Sequence, residues 1–192
     1  TNNHFFISNE IDTSLINKVV QSSAEQIGKS CDGETIVMNV SPFMTVPSMA
    51  LLFPWKENGR DQTCLIVFSI ESISDIIGTG NINTTYLVNH ADELLCHPDT
   101  ERILAGESLR NHPLIVSIRE HNQNNDDSRQ IPFVKIDDKG KKTSWFGAYE
   151  KIGLGDVLVV TEVSKDVVLD AVKKTFINNV FIMGCVFFLT LI

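Results

Sequence analysis

Eight short apolar runs, each bounded by turn residues, constrain the fold of this chain more than any other feature of its sequence. Each run has the length of a β-strand, and several are rich in Val, Ile, Phe and Thr, which favour strands. The runs are ETIVMNVSPF, PSMALLFPW, TCLIVFSI, TTYLVN, ELLCHP, IPFVKI, KTSWFGAYEKI and VLVVTEV. The turn segments ENGRD, NHADE, DDKGK and GLGD are short, and short turns favour antiparallel pairing. The sequence therefore predicts an antiparallel sheet.

Helical patterns flank and interrupt these runs. Residues 12–29 place apolar side chains at near-helical spacing after the capping candidates Asp12 and Thr13. Two short helices fit SIESISDIIG and HPLIVSIREHN, and SKDVVLDAVKKTF predicts a last helix with Ser164 as its cap. We therefore predict an α+β fold with one antiparallel sheet over about residues 30–163, much like the PAS-type sensory fold. A long N-terminal helix lies along the sheet, and a C-terminal helix enters a membrane.

The C-terminal apolar run carries the membrane prediction. From residue 180 the sequence reads VFIMGCVFFLTLI, thirteen residues without a charge. A membrane-spanning helix needs about 20 predominantly apolar residues. We therefore expect this run to begin a transmembrane helix that continues beyond residue 192. A buried core helix is the alternative interpretation.

Composition and motifs narrow the class of function. The net charge of -8 and the pI near 5.0 disfavour nucleic acid as a partner, and no long Lys or Arg run is present. Four cysteines without CxxC spacing do not predict a disulfide framework, and at most one pair is expected. GxSxG, GxxxxGK[ST], HExxH and GxGxxG are all missing from the sequence. We predict no catalytic residues, no metal ligands and no cofactor.

The stretch YLVNHADELLCHPD, residues 86–99, holds two histidines, one cysteine and three acids. Because successive side chains of a strand leave opposite faces of the sheet, Cys96 should be buried and His97 should point away from it. His90 and Asp92 should lie in the turn, and the Asp99 carboxylate should accept backbone donors. A metal site and a ligand contact by His97 are the alternatives.

The same stretch carries a resemblance to a known family. Followed by ILAGESLRNHPLI, it resembles the strand, turn, strand and helix block of bacterial Cache sensor domains, although Ala91 and Asp92 occupy a turn where the family typically has Gly. FPWKENGRDQTCLIVFSIESISDIIG is similar to the preceding strand and helix, and WFGAYEKIGLGDVLVVTEVSKDVVLDAV to the closing hairpin, final strand and exit helix. The resemblance covers roughly residues 12–192. It is greatest for spirochaete receptors, including class III nucleotide cyclases and methyl-accepting chemotaxis proteins.

The resemblance implies an extracytoplasmic, periplasmic sensing module of a bacterial inner-membrane receptor, which binds a small molecule and passes on a helix displacement. An adenylate or guanylate cyclase is the implied output. The alternatives are a methyl-accepting chemotaxis receptor and a dimerisation domain that binds no ligand, for which a second copy of the chain is the candidate partner. This chain is not expected to be an enzyme itself, whereas cyclase activity of a full-length protein is left open.

The resemblance also implies a division of the chain. The four segments are a remnant of a preceding segment (1–11), a Cache-like sensor domain (12–163), an exit helix (164–176) and the start of a transmembrane helix (177–192).

Five residues are candidates for ligand contact. Family members that bind amino acids carry an aromatic and arginine signature, and FPWKENGRD offers Trp55 and Arg60 without its full spacing. Tyr86, Trp145 and Tyr149 belong to strands that would flank a concave pocket. The alternative for the aromatic residues is a place in the core with a satisfied polar tip.

Overall fold

Within the part of the chain that the structure describes, a strand lies at each of the eight predicted runs, and the strands pair antiparallel. The computed structural model describes residues 12–44, 46–78, 82–123, 130–136 and 139–191. The strands are β1 (Ile36–Asn39), β2 (Ser48–Glu57), β3 (Arg60–Ser69), β4 (Thr84–Val88), β5 (Leu94–Cys96), β6 (Gln130–Ile136), β7 (Lys142–Lys151) and β8 (Leu158–Ser164).

Helices stand before, between and after the strands. They are α1 (Thr13–Ser22), α2 (Ala24–Cys31), α3 (Glu71–Gly78), α4 (Thr100–Leu104), α5 (Pro113–Gln123) and α6 (Lys165–Leu191), with a short 3-10 helix at Ser41–Phe43. The predicted N-terminal helix is divided at Ser23, which is fully buried. Asp12 caps α1 as predicted, since its Oδ1 accepts from the backbone N of Ser14 at 2.8 Å.

The strands form two sheets and not the single sheet predicted. One sheet has the order β1-β2-β3 and the other the order β5-β4-β8-β7-β6, so that β8 lies between β4 and β7. A side chain joins the sheets where no backbone ladder does: Asn39 Nδ2 donates to the carbonyl oxygens of Leu94 at 3.0 Å and Ile103 at 2.8 Å. The predicted α+β class with an antiparallel, PAS-like sheet and flanking helices is confirmed.

The core is built in layers. Helices α1 and α2 cover one face of the three-stranded sheet, and the other face of that sheet packs with α3 against the five-stranded sheet. Helix α5 covers the remaining face of the five-stranded sheet, here called the inner face. That face carries alternate residues of β4, β6, β7 and β8, among them Tyr86, Phe133 and Val160.

Helix α6 begins directly at the end of β8, with no residue between Ser164 and Lys165. It continues without a break through the predicted exit helix into the apolar run. Among the residues that the structure describes, no helix is both long enough and apolar enough to cross a membrane.

Candidate ligand-binding site

A buried carboxylate distinguishes the inner face. Glu162, on the central strand β8, is 6% exposed. Lys135 Nζ contacts its Oε1, Tyr86 Oη donates to its Oε2 at 3.4 Å, and His112 Nε2 lies 3.7 Å from Oε2. These four residues are the Glu162 cluster. Because an unpaired buried charge is costly, the lysine is what allows the carboxylate to sit there.

Burial changes the proton affinity of two members of the cluster. It raises the pKa of the Tyr86 phenol, and the charge of Glu162 raises that pKa further. Burial lowers the pKa of His112, and the neighbouring Glu162 opposes that effect. Tyr86 and His112 are therefore neutral near pH 7.

Aromatic rings line one side of the cluster. The ammonium of Lys135 lies 4.1 Å from the centroid of Trp145 and 5.8 Å from that of Phe133. The indole is held in place, because its Nε1 donates to Thr143 Oγ1 at 3.0 Å. The ring of His112 adds a further wall, 6.0 Å from Phe133 between centroids.

A second charged group adjoins the cluster through Tyr86, whose ring centroid is 5.9 Å from that of His97. Arg102 makes a two-point ion pair with Glu107, at 2.5 and 2.7 Å, and its Nη1 lies 2.8 Å from His97 Nε2. Burial, followed by the charge of Arg102, lowers the pKa of His97. The site thus contains two cations and two carboxylates together with neutral polar rings. The cations are Lys135 and Arg102, and the carboxylates are Glu162 and Glu107.

The predicted site residues separate into two groups. Tyr86 and Tyr149 both pair with Val160 of β8, and Trp145 lies further along β7, so the structure brings these three onto the inner face. Trp55 and Arg60 lie on the β2–β3 hairpin of the other sheet, where Trp55 is 54% exposed. The structure does not bring this pair to the inner face.

Sequence reasoning missed the charged half of the site. Glu162, Lys135, His112 and Arg102 come from four different elements or loops, so no local motif joins them. The sequence contained one indication of a buried charge. In the strand VLVVTEV apolar residues occupy both alternating sets of positions, so both faces of the strand are apolar, and Glu162 is the only charged residue in it. A lone carboxylate in such a strand indicates a buried charge with a partner.

The stretch of residues 86–99 has the predicted geometry. Cys96 is fully buried with its Sγ 3.2 Å from Ser74 Oγ, whereas His97 faces Tyr86 on the other side of the sheet. Asp92 lies in the turn at a φ of 63°, and Asp99 Oδ1 accepts from the backbone N of Glu101 at 3.1 Å. The predicted strand, turn and strand are confirmed, and His97 and Cys96 cannot bind one ion together.

A cleft of about 580 Å³ lies away from the inner face, between α2, β1 and the turns that follow β4 and β7. Gln26, Glu34, Glu93 and Asp156 are among its lining residues, and no member of the Glu162 cluster lines it. Its carboxylates are not deeply buried, and Asp156 pairs with Lys151 at 2.9 Å with both side chains more than half exposed. The cleft lacks the buried charge that makes the inner face unusual.

The chain matches no protein-family model and no curated protein sequence. Its structure is similar to the extracellular domain of mmHK1S-Z3, a protein assigned as a histidine kinase, with a TM-score of 0.53 and 15% identity over 78% of this chain and 55% of that one. This chain shares the fold of that extracellular domain. The resemblance found in the sequence is thereby confirmed at the level of the fold.

Two chemoreceptor domains are also similar. The ligand-binding domain of the Pseudomonas aeruginosa PAO1 amino-acid chemoreceptor PctB, solved with L-Arg, has a TM-score of 0.49 and 16% identity over 82% of this chain and 57% of that one. That of Pseudomonas fluorescens CtaA, solved with L-isoleucine, has a TM-score of 0.47 and 14% identity over 74% of this chain and 56% of that one. The chain spans a little more than half of each of these solved domains.

Proposed function

We propose that this chain is the extracytoplasmic sensing module of a transmembrane signalling receptor in a bacterial inner membrane. It binds a small polar molecule on the inner face of the five-stranded sheet and passes the resulting movement to α6. The sequence resemblance favours an adenylate or guanylate cyclase as the output. A methyl-accepting chemotaxis receptor would use the same input module and is the alternative output.

One observation carries the proposal: the buried carboxylate of Glu162 lies on the strand that becomes α6, three residues before Lys165. Buried charges that are not needed for packing are found at sites of binding or catalysis more often than elsewhere. A ligand that changes the partners of Glu162 acts directly on β8. It can shift α6 if it binds the two positions of the helix with different affinity.

Exposed apolar side chains on α6 support the membrane part of the proposal. The exposed fractions are 67% for Phe176, 69% for Phe181, 72% for Met183 and 64% for Phe187. An apolar surface of this kind indicates contact with lipid or with another protein. In the proposed receptor, lipid covers it.

A ligand screen on the chain tests the binding role. Amino acids, carboxylates, amines and purines are added in thermal unfolding experiments, where a ligand at a hundred times its Kd stabilises the fold by about 2.7 kcal/mol. Glu162→Gln, Tyr86→Phe and Trp145→Ala should weaken a true hit. Trp55→Ala and Arg60→Ala are the matched controls on the other sheet and should leave it unchanged. A hit that only the controls weaken would place the ligand elsewhere.

A dimerisation domain without a ligand is the second candidate, because the outer face of β6 and β7 is apolar and exposed. Ile136 is 63% exposed, Val134 46% and Phe146 40%. If this face joins two copies, sedimentation will show a dimer that Val134→Lys converts to a monomer. That result, together with a screen that yields no hit, would favour this alternative.

A further inference from the structure

The surroundings of the Lys135 ammonium are those of a bound organic cation. Organic ammonium groups are recognised by the faces of aromatic rings together with a carboxylate. Lys135 Nζ has Trp145 and Phe133 at 4.1 and 5.8 Å, and it contacts the buried Glu162. The protein's own side chain therefore occupies a position that has the aromatic faces and the carboxylate of an amine-recognition site.

The site requires a cation but is not sealed around the one it holds. The Glu162 side chain is 8% exposed, so its carboxylate needs a permanent partner. The Lys135 side chain is 28% exposed, which leaves the site open to solvent on the lysine's side. A lysine on a flexible four-carbon stem can leave such a site, whereas Glu162 on the central strand cannot follow it.

A further polar atom of the same site has no partner. His112 Nδ1 is buried and makes no hydrogen bond within the described part of the chain, although Nε2 of the same ring lies 3.7 Å from Glu162. Native proteins rarely leave a buried polar atom unsatisfied. A ligand that places an ammonium group at Glu162 and a second polar group at His112 Nδ1 would satisfy both side chains.

We propose that Lys135 is a built-in occupant of an amine site and that the ligand of this chain is an organic ammonium compound that displaces it. This inference rests on the proposed function, because it names the ligand class of the same inner face. Displacement exchanges one ammonium for another at Glu162 and releases the side chain of Lys135 into solvent, while β6 stays paired with β7. The lysine thereby raises the apparent Kd for the ligand, because only the fraction of molecules with a vacated site can bind it.

The experiment truncates the Lys135 side chain by mutation and adds the deleted atoms back as a small molecule. Lys135→Ala deletes three carbons and the nitrogen, and n-propylammonium chloride restores the same atoms. We expect saturable thermal stabilisation of Lys135→Ala by n-propylammonium, with an affinity about tenfold or more above that of the unsubstituted chain, whose site is occupied. Sodium chloride at equal concentration corrects for ionic strength.

Three variants make the result specific. Lys135→Met fills the aromatic site with an uncharged chain and should not respond to n-propylammonium. Lys135→Ala with Glu162→Gln should fold, since both charges are gone, and should not respond either. Lys151→Ala removes a lysine from an exposed ion pair with Asp156 and should behave like the unsubstituted chain.

Binding to the unsubstituted chain is measured independently, in case Lys135→Ala does not fold. With Trp55→Phe, the remaining tryptophan, Trp145, reports on the site through its fluorescence. A saturable change with n-propylammonium, which Glu162→Gln abolishes, is expected. A folded Lys135→Ala without saturable binding, or no fluorescence change in the Trp55→Phe chain, would overturn the inference. So would an inner-face ligand without a cationic group, which would leave the proposed function standing.

Discussion

At the scale of single residues, both proposals depend on the buried carboxylate of Glu162. Tyr86, Trp145 and Tyr149 lie on the inner face, and their role as ligand contacts stays a prediction. The sequence placed them on strands that alternation identifies. It did not point to Lys135, because Glu162 and its partner are 27 residues apart and belong to strands separated by β7. A contact made across a sheet leaves no local pattern.

The buried histidines give the fold a pH dependence. Burial lowers the pKa of His112 and His97 below the ordinary value of 6.5, so the unfolded chain binds these protons more readily than the folded chain. The stabilisation is complete above about pH 6.5, and it is lost as the pH falls from there through the folded-state pKa values. We expect the free energy of unfolding to fall over this window, with a slope of at most about 1.4 kcal/mol per pH unit for each histidine.

Urea unfolding at a series of pH values measures this slope. His112→Gln should flatten it, and His112→Gln with His97→Gln should remove most of it. Asn111→Gln, which changes an exposed residue without a titrating group, is the control and should leave the slope unchanged. Equal slopes in all variants would show that other groups cause the acid sensitivity.

At the scale of elements, the contact between α5 and β7 depends on one glycine. A Cβ at Gly147 would lie 2.3 Å from Leu114 Cδ1 and 2.6 Å from its Cδ2, and Leu114 is fully buried. The helix can therefore lie this close to the inner face only over a residue without a side chain.

Gly147→Ala should destabilise the chain by about 1–3 kcal/mol, the usual range for overpacking a core. Gly28→Ala is the matched control, because nothing lies within 4 Å of its Cβ position in α2. Since alanine favours helix, that control should stabilise by about 0.5–1 kcal/mol. Chemical denaturation measures the change in the free energy of unfolding for both variants. If Gly147→Ala leaves that free energy unchanged, α5 can move away from β7 without loss of stability.

Asn39 makes a second element-level contact and is one of two buried asparagines that join the sheets, since Asn89 Nδ2 also donates to the carbonyl of Val37 at 3.0 Å. Asn39 is 8% exposed, and its side chain satisfies two carbonyl groups and the backbone N of Ser41. Asn39→Leu keeps a similar volume but should cost about 1–3 kcal/mol for each group left unsatisfied. Asn111→Leu, at an exposed position, is the control and should have little effect on the denaturation midpoint. An equal effect of both substitutions would remove Asn39 as a link.

The helices and strands differ in how well they could be predicted from the sequence. Strands such as β4 and β8 were predicted because apolar runs ended by turn residues identify strands locally. Helix α4 was missed, since its five residues are too few to show a helical period. The break at Ser23 was missed too, because apolar spacing continues across it from α1 into α2.

At the scale of the whole molecule, the arrangement of layers was the hardest property to predict. Local patterns gave the strands but not their partition, because the choice between one sheet and two depends on which distant edges pair. In the structure, β1, β2 and β3 form a sheet of their own. One apolar face of that sheet packs against the face of the five-stranded sheet opposite the inner face. The predicted fold class survived this difference, because both arrangements are antiparallel and covered by helices.

The exposed apolar surface of α6 leads to a prediction for the whole chain. A variant that ends at Lys174 lacks Phe176 and the exposed apolar residues that follow, and every described side chain of α6 from Val172 onward is exposed. We expect the full chain to co-sediment with lipid vesicles and the shortened chain to stay in the supernatant with an unchanged Tm. Vesicle binding that persists in the shortened chain would move the membrane contact away from α6.

The direct passage from Ser164 into Lys165 also fixes an angle. With 3.6 residues per turn, one residue inserted there would rotate every later side chain of α6 by about 100° around the helix axis and advance it by about 1.5 Å. Seven inserted residues, close to two full turns, would nearly restore the original orientation. The sheet and the far end of the helix are thus in phase, and the face that α6 presents to its surroundings is set by the pleat of β8.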